Sequence, residues 1–278
     1  MEYNVKILKY ANNKQQIRFY RVPIKYDNGE KQYLTQYTEK RQYEAPDLEE
    51  HETDDNIHSI MNSRNRTIKN LYNIARSNNW DWFCTFTFDT KKINSTNYDT
   101  VMSEISSYMK GLRKKYKDMK YLLIPELHED KKKYHVHGLL ANIPDECFVY
   151  LRSLKGRDVY HLYNYRLGFD YHTKVDDNNK VVRYITKYIT KALMETTKNK
   201  RRYIYSLNCD KAVEINLCVK DMGKLFDRIK DSVVYSKTVE YQDSAVLYFE
   251  TENLDNWFSW ENGVASEFEH SIRSFDQL

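Results

Sequence analysis

The sequence predicts an α+β protein in which a central antiparallel sheet has helices packed on one face and leaves the other face open for a substrate. Segments rich in β-branched and aromatic residues alternate with segments of helical periodicity, in the order strand, helix, strand, strand, helix. The 278 residues are 41% hydrophobic, enough for a buried core, and no apolar run approaches the roughly 20 residues that span a bilayer. The N-terminus lacks the pattern of a signal peptide, so we expect a soluble, cytoplasmic protein.

Composition divides the chain into four predicted segments. Residues 1–45 alternate in the manner of strands, and residues 46–58 form an acid-rich stretch that begins at Pro46 and predicts a linker. Residues 59–210 contain every chemical motif described below. Residues 211–278 predict an α/β extension that ends in an acidic tail.

The first half of the chain gives the clearest element signals. Asp27-Asn-Gly29 predicts a turn between N-terminal strands. Residues 57–78 have helical spacing, and Phe83-Cys-Thr-Phe-Thr-Phe88 predicts a strand because it is rich in aromatic and β-branched residues. A second helix is predicted over 98–117. The inward stripes of the two helices are Ile68, Leu71, Ile74 and Ala75 in the first, and Val101, Ile105, Tyr108, Met109 and Leu112 in the second.

The second half contains one long pattern and several short ones. Residues 121–125 predict a strand, and residues 136–141 predict its antiparallel partner. A less regular stretch follows, before an amphipathic helix at 180–195. The remaining predicted elements are a strand at 202–205, a helix at 219–230 and two strands near 233–249.

The net charge of +4 is unevenly distributed. Basic clusters at residues 110–120, 131–133 and 198–202 surround the motifs, whereas the chain beyond residue 250 is acidic. A basic central region suits a polyanionic substrate, and the 25 tyrosines include rings that can stack on unpaired bases. The four cysteines form no CxxC pair, which argues against a zinc ribbon.

A pair of histidines predicts a metal site on a strand. His135 and His137 are two residues apart, so both imidazoles point to one face while Val136 points into the core. The charged run at 129–133 predicts the turn of a hairpin. If that hairpin is symmetric, Glu126 lies opposite His135.

Two imidazoles and a carboxylate with open coordination positions suit Mg²⁺ or Mn²⁺ used as a Lewis acid. His128 has the same strand parity as Glu126 and is the reserve third ligand. The alternative is a pair of surface histidines on a polar strand with no role in metal binding.

The helix at 180–195 predicts a nucleophile. Tyr184 and Tyr188 are four residues apart and lie on one helical face, with Lys187 and Lys191 beside them. A free tyrosine has a pKa near 10, so a phenolate at pH 7 costs about 4 kcal/mol, and a neighbouring ammonium group lowers that cost. A phenol that attacks phosphorus forms a covalent phosphotyrosine. The alternative is two surface tyrosines on a tyrosine-rich helix.

Three blocks in this order resemble the HUH endonuclease superfamily, and specifically the rolling-circle replication initiators of phages and plasmids that have a two-tyrosine motif. The resemblance spans about residues 60–206. The blocks are Phe83-Cys-Thr-Phe-Thr-Phe88 for the first motif, His135-Val-His137 for the metal motif, and Tyr184-Ile-Thr-Lys187-Tyr188-Ile-Thr-Lys191 for the third motif.

The resemblance implies an antiparallel sheet with the histidines on a central strand and the tyrosine helix facing the metal. It also implies that the protein nicks one DNA strand at an origin, forms a 5′-phosphotyrosine, and later rejoins the strand into a circle. The implied roles are metal ligand for His135, His137 and Glu126, nucleophile for Tyr184 and Tyr188, and assisting cation for Lys187 and Lys191.

The implied partners are single-stranded DNA or an origin hairpin in a bacterial host cytoplasm. No GxxxxGK[ST] phosphate loop is present, so we expect a host helicase to unwind the DNA. Two other interpretations stay open. One is a transposase or conjugative relaxase that uses the same chemistry, and the other is a non-catalytic DNA-binding protein whose metal motif is coincidental.

Overall fold

The computed structural model describes residues 2–11, 13–27, 30–32, 54–128, 132–195, 200–241 and 244–252, with the side chains at 26–32, 54–61, 189–195 and 241 outside the description. The strands are β1 (Glu2–Lys9), β2 (Gln15–Asp27), β3 (Glu30–Gln32), β4 (Trp82–Phe86), β5 (Lys120–Leu127), β6 (Tyr134–Ala141), β7 (Phe148–Leu154), β8 (Arg157–Leu162), β9 (Asp170–Lys174), β10 (Ile204–Tyr205), β11 (Val213–Leu217), β12 (Val233–Tyr241) and β13 (Ser244–Thr251). The α-helices are α1 (Asp54–Arg76), α2 (Tyr98–Lys115), α3 (Asn178–Glu195) and α4 (Met222–Ile229).

The chain forms two compact units. The central unit is His51–Asp210, and the flanking unit combines Met1–Glu50 with Lys211–Leu278. Both sheets are antiparallel, which agrees with the predicted α+β class. Among the described helices, none combines the length and the apolar character needed for a bilayer span.

The flanking unit is a sheet in the order β11-β1-β2-β13-β12, with β3 paired to the far end of β2. β1 lies between β2 and β11, so Val5 is paired with both Phe19 and Leu217. The apolar side of this sheet packs against Leu225 and Ile229 of α4. Two segments that are far apart in sequence therefore share one sheet.

The central unit is a sheet in the order β10-β5-β6-β4-β9-β8-β7. One face, the α2 face, packs against α2 through a cluster that includes Trp82, Leu123 and Val136. Asn97 caps α2 by accepting a hydrogen bond from the Thr100 backbone N–H, and the last turn of the helix is basic, as a helix dipole favours.

The opposite face, the site face, contacts α1 and α3 over β5 and β6. The prediction of helices on only one face was therefore wrong. Its physical reason lies in β5, where Leu122 and Ile124 point to the site face and Leu123 points to the α2 face, all fully buried. A strand with a continuous apolar run needs cover on both sides.

Strands β7, β8 and β9 occupy the stretch that the sequence predicted to be less regular, which corrects that interpretation. All of β7 after Phe148 is exposed, so alternation of apolar and polar residues is weak there. Its turn to β8 has positive φ at Lys155 (51°) and Gly156 (76°), a tight hairpin turn without the usual Asn-Gly signal.

Element ends differ from prediction in small ways. β4 stops at Phe86, two residues early, and α1 begins at Asp54, inside the predicted linker. α4 begins at Met222 because the Asp221 side chain accepts a hydrogen bond from the Lys224 backbone N–H. The predicted turn residues 28–29, part of the charged turn, 129–131, and the acidic tail beyond residue 252 lie outside the described residues.

Candidate active site

The three predicted metal ligands lie on the site face of two paired strands. On β6, Val136 is fully buried, while the flanking His135 and His137 are partly exposed. On β5, Glu126 is paired directly with His135. Because residues two apart share a face, the pairing places the carboxylate and both imidazoles on one side of the hairpin.

His137 is held by two side-chain contacts. Its Nε2 lies 2.9 Å from Oε2 of Glu126, which is 7% exposed. Its Nδ1 lies 3.0 Å from the hydroxyl oxygen of Thr85 on β4. A hydroxyl can donate or accept, so Thr85 can satisfy Nδ1 in either tautomer and leave Nε2 for Glu126 or for a metal.

The His135 ring lies against His128, with centroids 4.7 Å apart. Within the described part of the chain, no three His, Cys, Asp or Glu side chains are grouped so that they could hold a metal ion. The donor types therefore fit a divalent ion, and Glu126 with His137 supplies two adjacent donors, but the side chains do not by themselves form an ion cage.

Helix α3 brings both tyrosines over this strand pair. Its apolar side is anchored by Val182 and Ile185, which are 2% and 0% exposed in the same cluster as α1. On the adjoining side, the Tyr188 ring is stacked on the His137 imidazole, with centroids 4.1 Å apart and planes inclined by 22°. The predicted metal motif and the predicted nucleophile motif are therefore in contact.

The two tyrosines differ in environment. The Tyr188 hydroxyl donates a hydrogen bond to the Tyr184 hydroxyl over 2.8 Å. Burial, this hydrogen bond and the charge of Glu126 all raise the pKa of Tyr188 above its usual value, with burial the largest cause. Tyr184 is 47% exposed, so its hydroxyl oxygen is the more accessible of the two.

Phe83 of β4 completes an aromatic group around the tyrosines. Its ring centroid lies 5.3 Å from that of Tyr184, 6.1 Å from Tyr188 and 6.3 Å from His137. The Tyr184 and Tyr188 rings are perpendicular to each other at 5.1 Å. Edge-to-face contacts of this kind restrict the orientation of each ring.

The exposed side of α3 is basic. Lys187 is exposed, and Lys180 and Arg183 precede it at the spacing that places side chains along one helical face. Lys191 belongs to α3, but its side chain lies outside the described residues. The sequence reasoning missed Lys180 and Arg183, although their spacing from Lys187 was a usable signal.

Thr85 and Phe83 were also missed as site residues. Both lie in the strand that was predicted correctly, and both point to the site face. Their role depends on the pairing of β4 with β6, which sets Thr85 opposite His137. No spacing within the sequence encodes that pairing.

Comparison with known proteins agrees with the motif order. Residues 81–193 match the family model of the replication-associated protein ORF2. No curated protein and no solved structure matches the chain. The matched segment begins just before β4, ends within α3, and includes every site residue described above. Residues 81–193 thus identify the chain with the replication-associated protein ORF2 family, a family of rolling-circle replication initiators.

Proposed function

We propose that the protein initiates rolling-circle replication by nicking single-stranded origin DNA and later rejoining it through a 5′-phosphotyrosine. The contact of Tyr188 with His137, at 4.1 Å between ring centroids, carries this proposal. It joins a phenol pair to a strand pair that presents two imidazoles and a carboxylate. A phosphodiester bound there would meet nucleophile and electrophilic assistance together.

We assign the first attack to Tyr184. Its hydroxyl is exposed and already accepts a hydrogen bond from Tyr188, which leaves its own proton directed away from that partner. Attack forms a bond between phosphorus and the tyrosine oxygen and breaks the bond to O3′. The phenolic proton passes to solvent, and the released 3′-oxygen is protonated to give a primer end.

Tyr188 is suited to a second attack. Its hydroxyl lies 2.8 Å from that of Tyr184, so both oxygens can address a phosphate in the same place. Its burial holds it protonated while Tyr184 is free. Once Tyr184 is esterified, Tyr188 is positioned to attack the next junction without release of the DNA.

The cations of this site have separate roles. Lys187 lies on the exposed side of α3 next to the tyrosines, where an ammonium group stabilises a phenolate and neutralises a phosphate oxygen. We propose the same role for Lys191. Mg²⁺ or Mn²⁺ bound by His137, Glu126 and His135 would supply Lewis-acid polarisation of a phosphate oxygen.

The test is covalent trapping on single-stranded DNA that carries a 3′ label, drawn from a randomised oligonucleotide pool. With Mn²⁺ present, we expect a labelled adduct that survives denaturing gels, and EDTA should abolish it. Mass spectrometry of the tryptic digest should place the nucleotide on Tyr184 at early times.

Matched variants give the assignment its control. Tyr184→Phe should reduce early adduct by about 100-fold or more, whereas Tyr188→Phe should keep the first nick and lose strand rejoining. The double variant should form no adduct. An adduct in the double variant, or none in the wild type, would contradict the proposed chemistry.

A further inference from the structure

The site face extends well beyond the tyrosines. Helices α1 and α3 pack over β5 and β6, and the cluster they form contains, among the described residues, no member of β7, β8 or β9. The outer half of this face is therefore not built into that core. The strand register determines which side chains this half presents.

That register forms a straight row from the candidate active site. Thr85 is paired with His137 on one side and with Tyr171 on the other. The pairing of Tyr160 with His172 sets His161 beside Tyr171. Neighbouring strands are about 4.8 Å apart, so Tyr171 lies two strands, about 10 Å, from the His137 position.

The row combines an aromatic ring with positive charge. Tyr171 is 39% exposed. Arg152 is paired with Val159, and Arg157 is paired with Leu154, so both arginines have the face parity of His161. Both arginines are exposed.

We propose that Tyr171, His161, Arg152 and Arg157, together called the outer track, bind unpaired nucleotides of the DNA strand next to the scissile phosphate. The track rests on the proposed function, since it lies on the same sheet face as Tyr188 and His137. A base stacks on the Tyr171 ring, and the arginines contact the phosphates that follow. Stacking needs a free base face, so the ligand is single-stranded.

The track can be tested by equilibrium binding. A Tyr184→Phe, Tyr188→Phe background removes the covalent step, and fluorescence anisotropy with a labelled single-stranded oligonucleotide gives Kd. Tyr171→Ala should raise Kd about five-fold or more, because the stacking ring is lost. Tyr171→Phe should stay within about two-fold, because it keeps the ring.

The matched control is Tyr150→Ala. Tyr150 is 54% exposed on the same hairpin, but it is paired with Tyr160 and so has the opposite face parity. Its loss should leave Kd within about two-fold. Arg152→Ala with Arg157→Ala should lower the slope of log Kd against log salt by about one to two.

Three results would overturn the track. They are an unchanged Kd in Tyr171→Ala, an equal loss in Tyr150→Ala, and equally strong competition by duplex DNA of the same sequence. Thermal melts of each variant separate these results from misfolding. A wild type that nicks while Tyr171→Ala binds normally would retain the proposed function and lose only the track. Stacking through Tyr171 without any wild-type adduct would do the reverse.

Discussion

The imidazole of His137 and the phenol of Tyr188 lie face to face, with ring centroids 4.1 Å apart. His137 belongs to β6 and Tyr188 to α3, so one contact fixes the helix above the strand pair. The same imidazole is also held by Thr85 and Glu126. A change at any of these side chains therefore reaches the tyrosines through a single ring.

Thr85→Val should weaken Mn²⁺ binding about ten-fold, because the variant keeps the shape of the side chain but leaves Nδ1 of His137 without its 3.0 Å partner. Titration of free against bound Mn²⁺ by electron paramagnetic resonance measures this directly. Thr85→Ser should restore affinity. Thr87→Val is the matched control, since the Thr87 hydroxyl donates to the Phe169 carbonyl instead. Equal affinity in Thr85→Val and wild type would exclude a role for this contact.

Phe83→Ala should blur the division of labour between the tyrosines. The ring contacts both Tyr184 and Tyr188, and without it their orientation is less restricted. We expect a mixed adduct on both residues in the trapping experiment, with a loss of about 2 kcal/mol in unfolding free energy for this partly buried position. Phe83→Tyr should keep the wild-type pattern. An unmixed adduct in a folded Phe83→Ala protein would show that the ring has no part in selection.

Gly138→Ala should destabilise the central unit by about 3 kcal/mol. An added Cβ would lie 2.5 Å from the Leu122 carbonyl oxygen and would also clash with the Leu123 side chain, so β5 and β6 would have to separate. Gly111→Ala is the contrast, because nothing lies within 4 Å of that Cβ in α2. That helix should gain about 0.5–1 kcal/mol. Chemical denaturation of both variants measures the difference, and equal stabilities would refute it.

Acid should destabilise the protein through His172. Burial lowers the pKa of this fully enclosed imidazole from 6.5, although the hydrogen bond with Asp170 opposes the shift. The unfolded chain then binds a proton that the folded chain does not. Stability is therefore present above about pH 6.5 and is lost as pH falls toward the lowered folded value.

The slope of unfolding free energy against pH measures this loss and should reach up to about 1.4 kcal/mol per pH unit below about pH 6.5 from this one group. His172→Gln keeps an amide donor for Asp170 and removes the titration. Its curve should be flatter between about pH 6.5 and 5, even if its stability at neutral pH is lower. Parallel curves for the two proteins would assign the acid sensitivity elsewhere.

Strong local patterns predicted most of the central unit. The stripe of Val101, Ile105 and Met109 gave α2, and the alternation around His135 and His137 gave β6 and its face. The β7–β8 hairpin could not be predicted in the same way. After Phe148, every side chain of β7 is exposed, so selection for apolar residues at alternate positions is absent.

The candidate site was predictable as far as parity and hairpin register reach. Both rules act within a few residues, and they placed Glu126 opposite His135. Thr85 and Phe83 come from a strand about 50 positions away, whose pairing depends on tertiary packing. The difference between Tyr184 and Tyr188 likewise depends on which one lies over the β-strands, a property that an i, i+4 pair does not encode.

The pairing of Val5 with Leu217 has a consequence for biosynthesis. At roughly 5–20 residues per second, a ribosome needs on the order of 10–40 s to travel between these two positions. During that interval the whole of His51–Asp210 emerges and can acquire its own core, while β1 waits for its second neighbour. Translation thus delivers the central unit before the sheet built from the two distant segments can close.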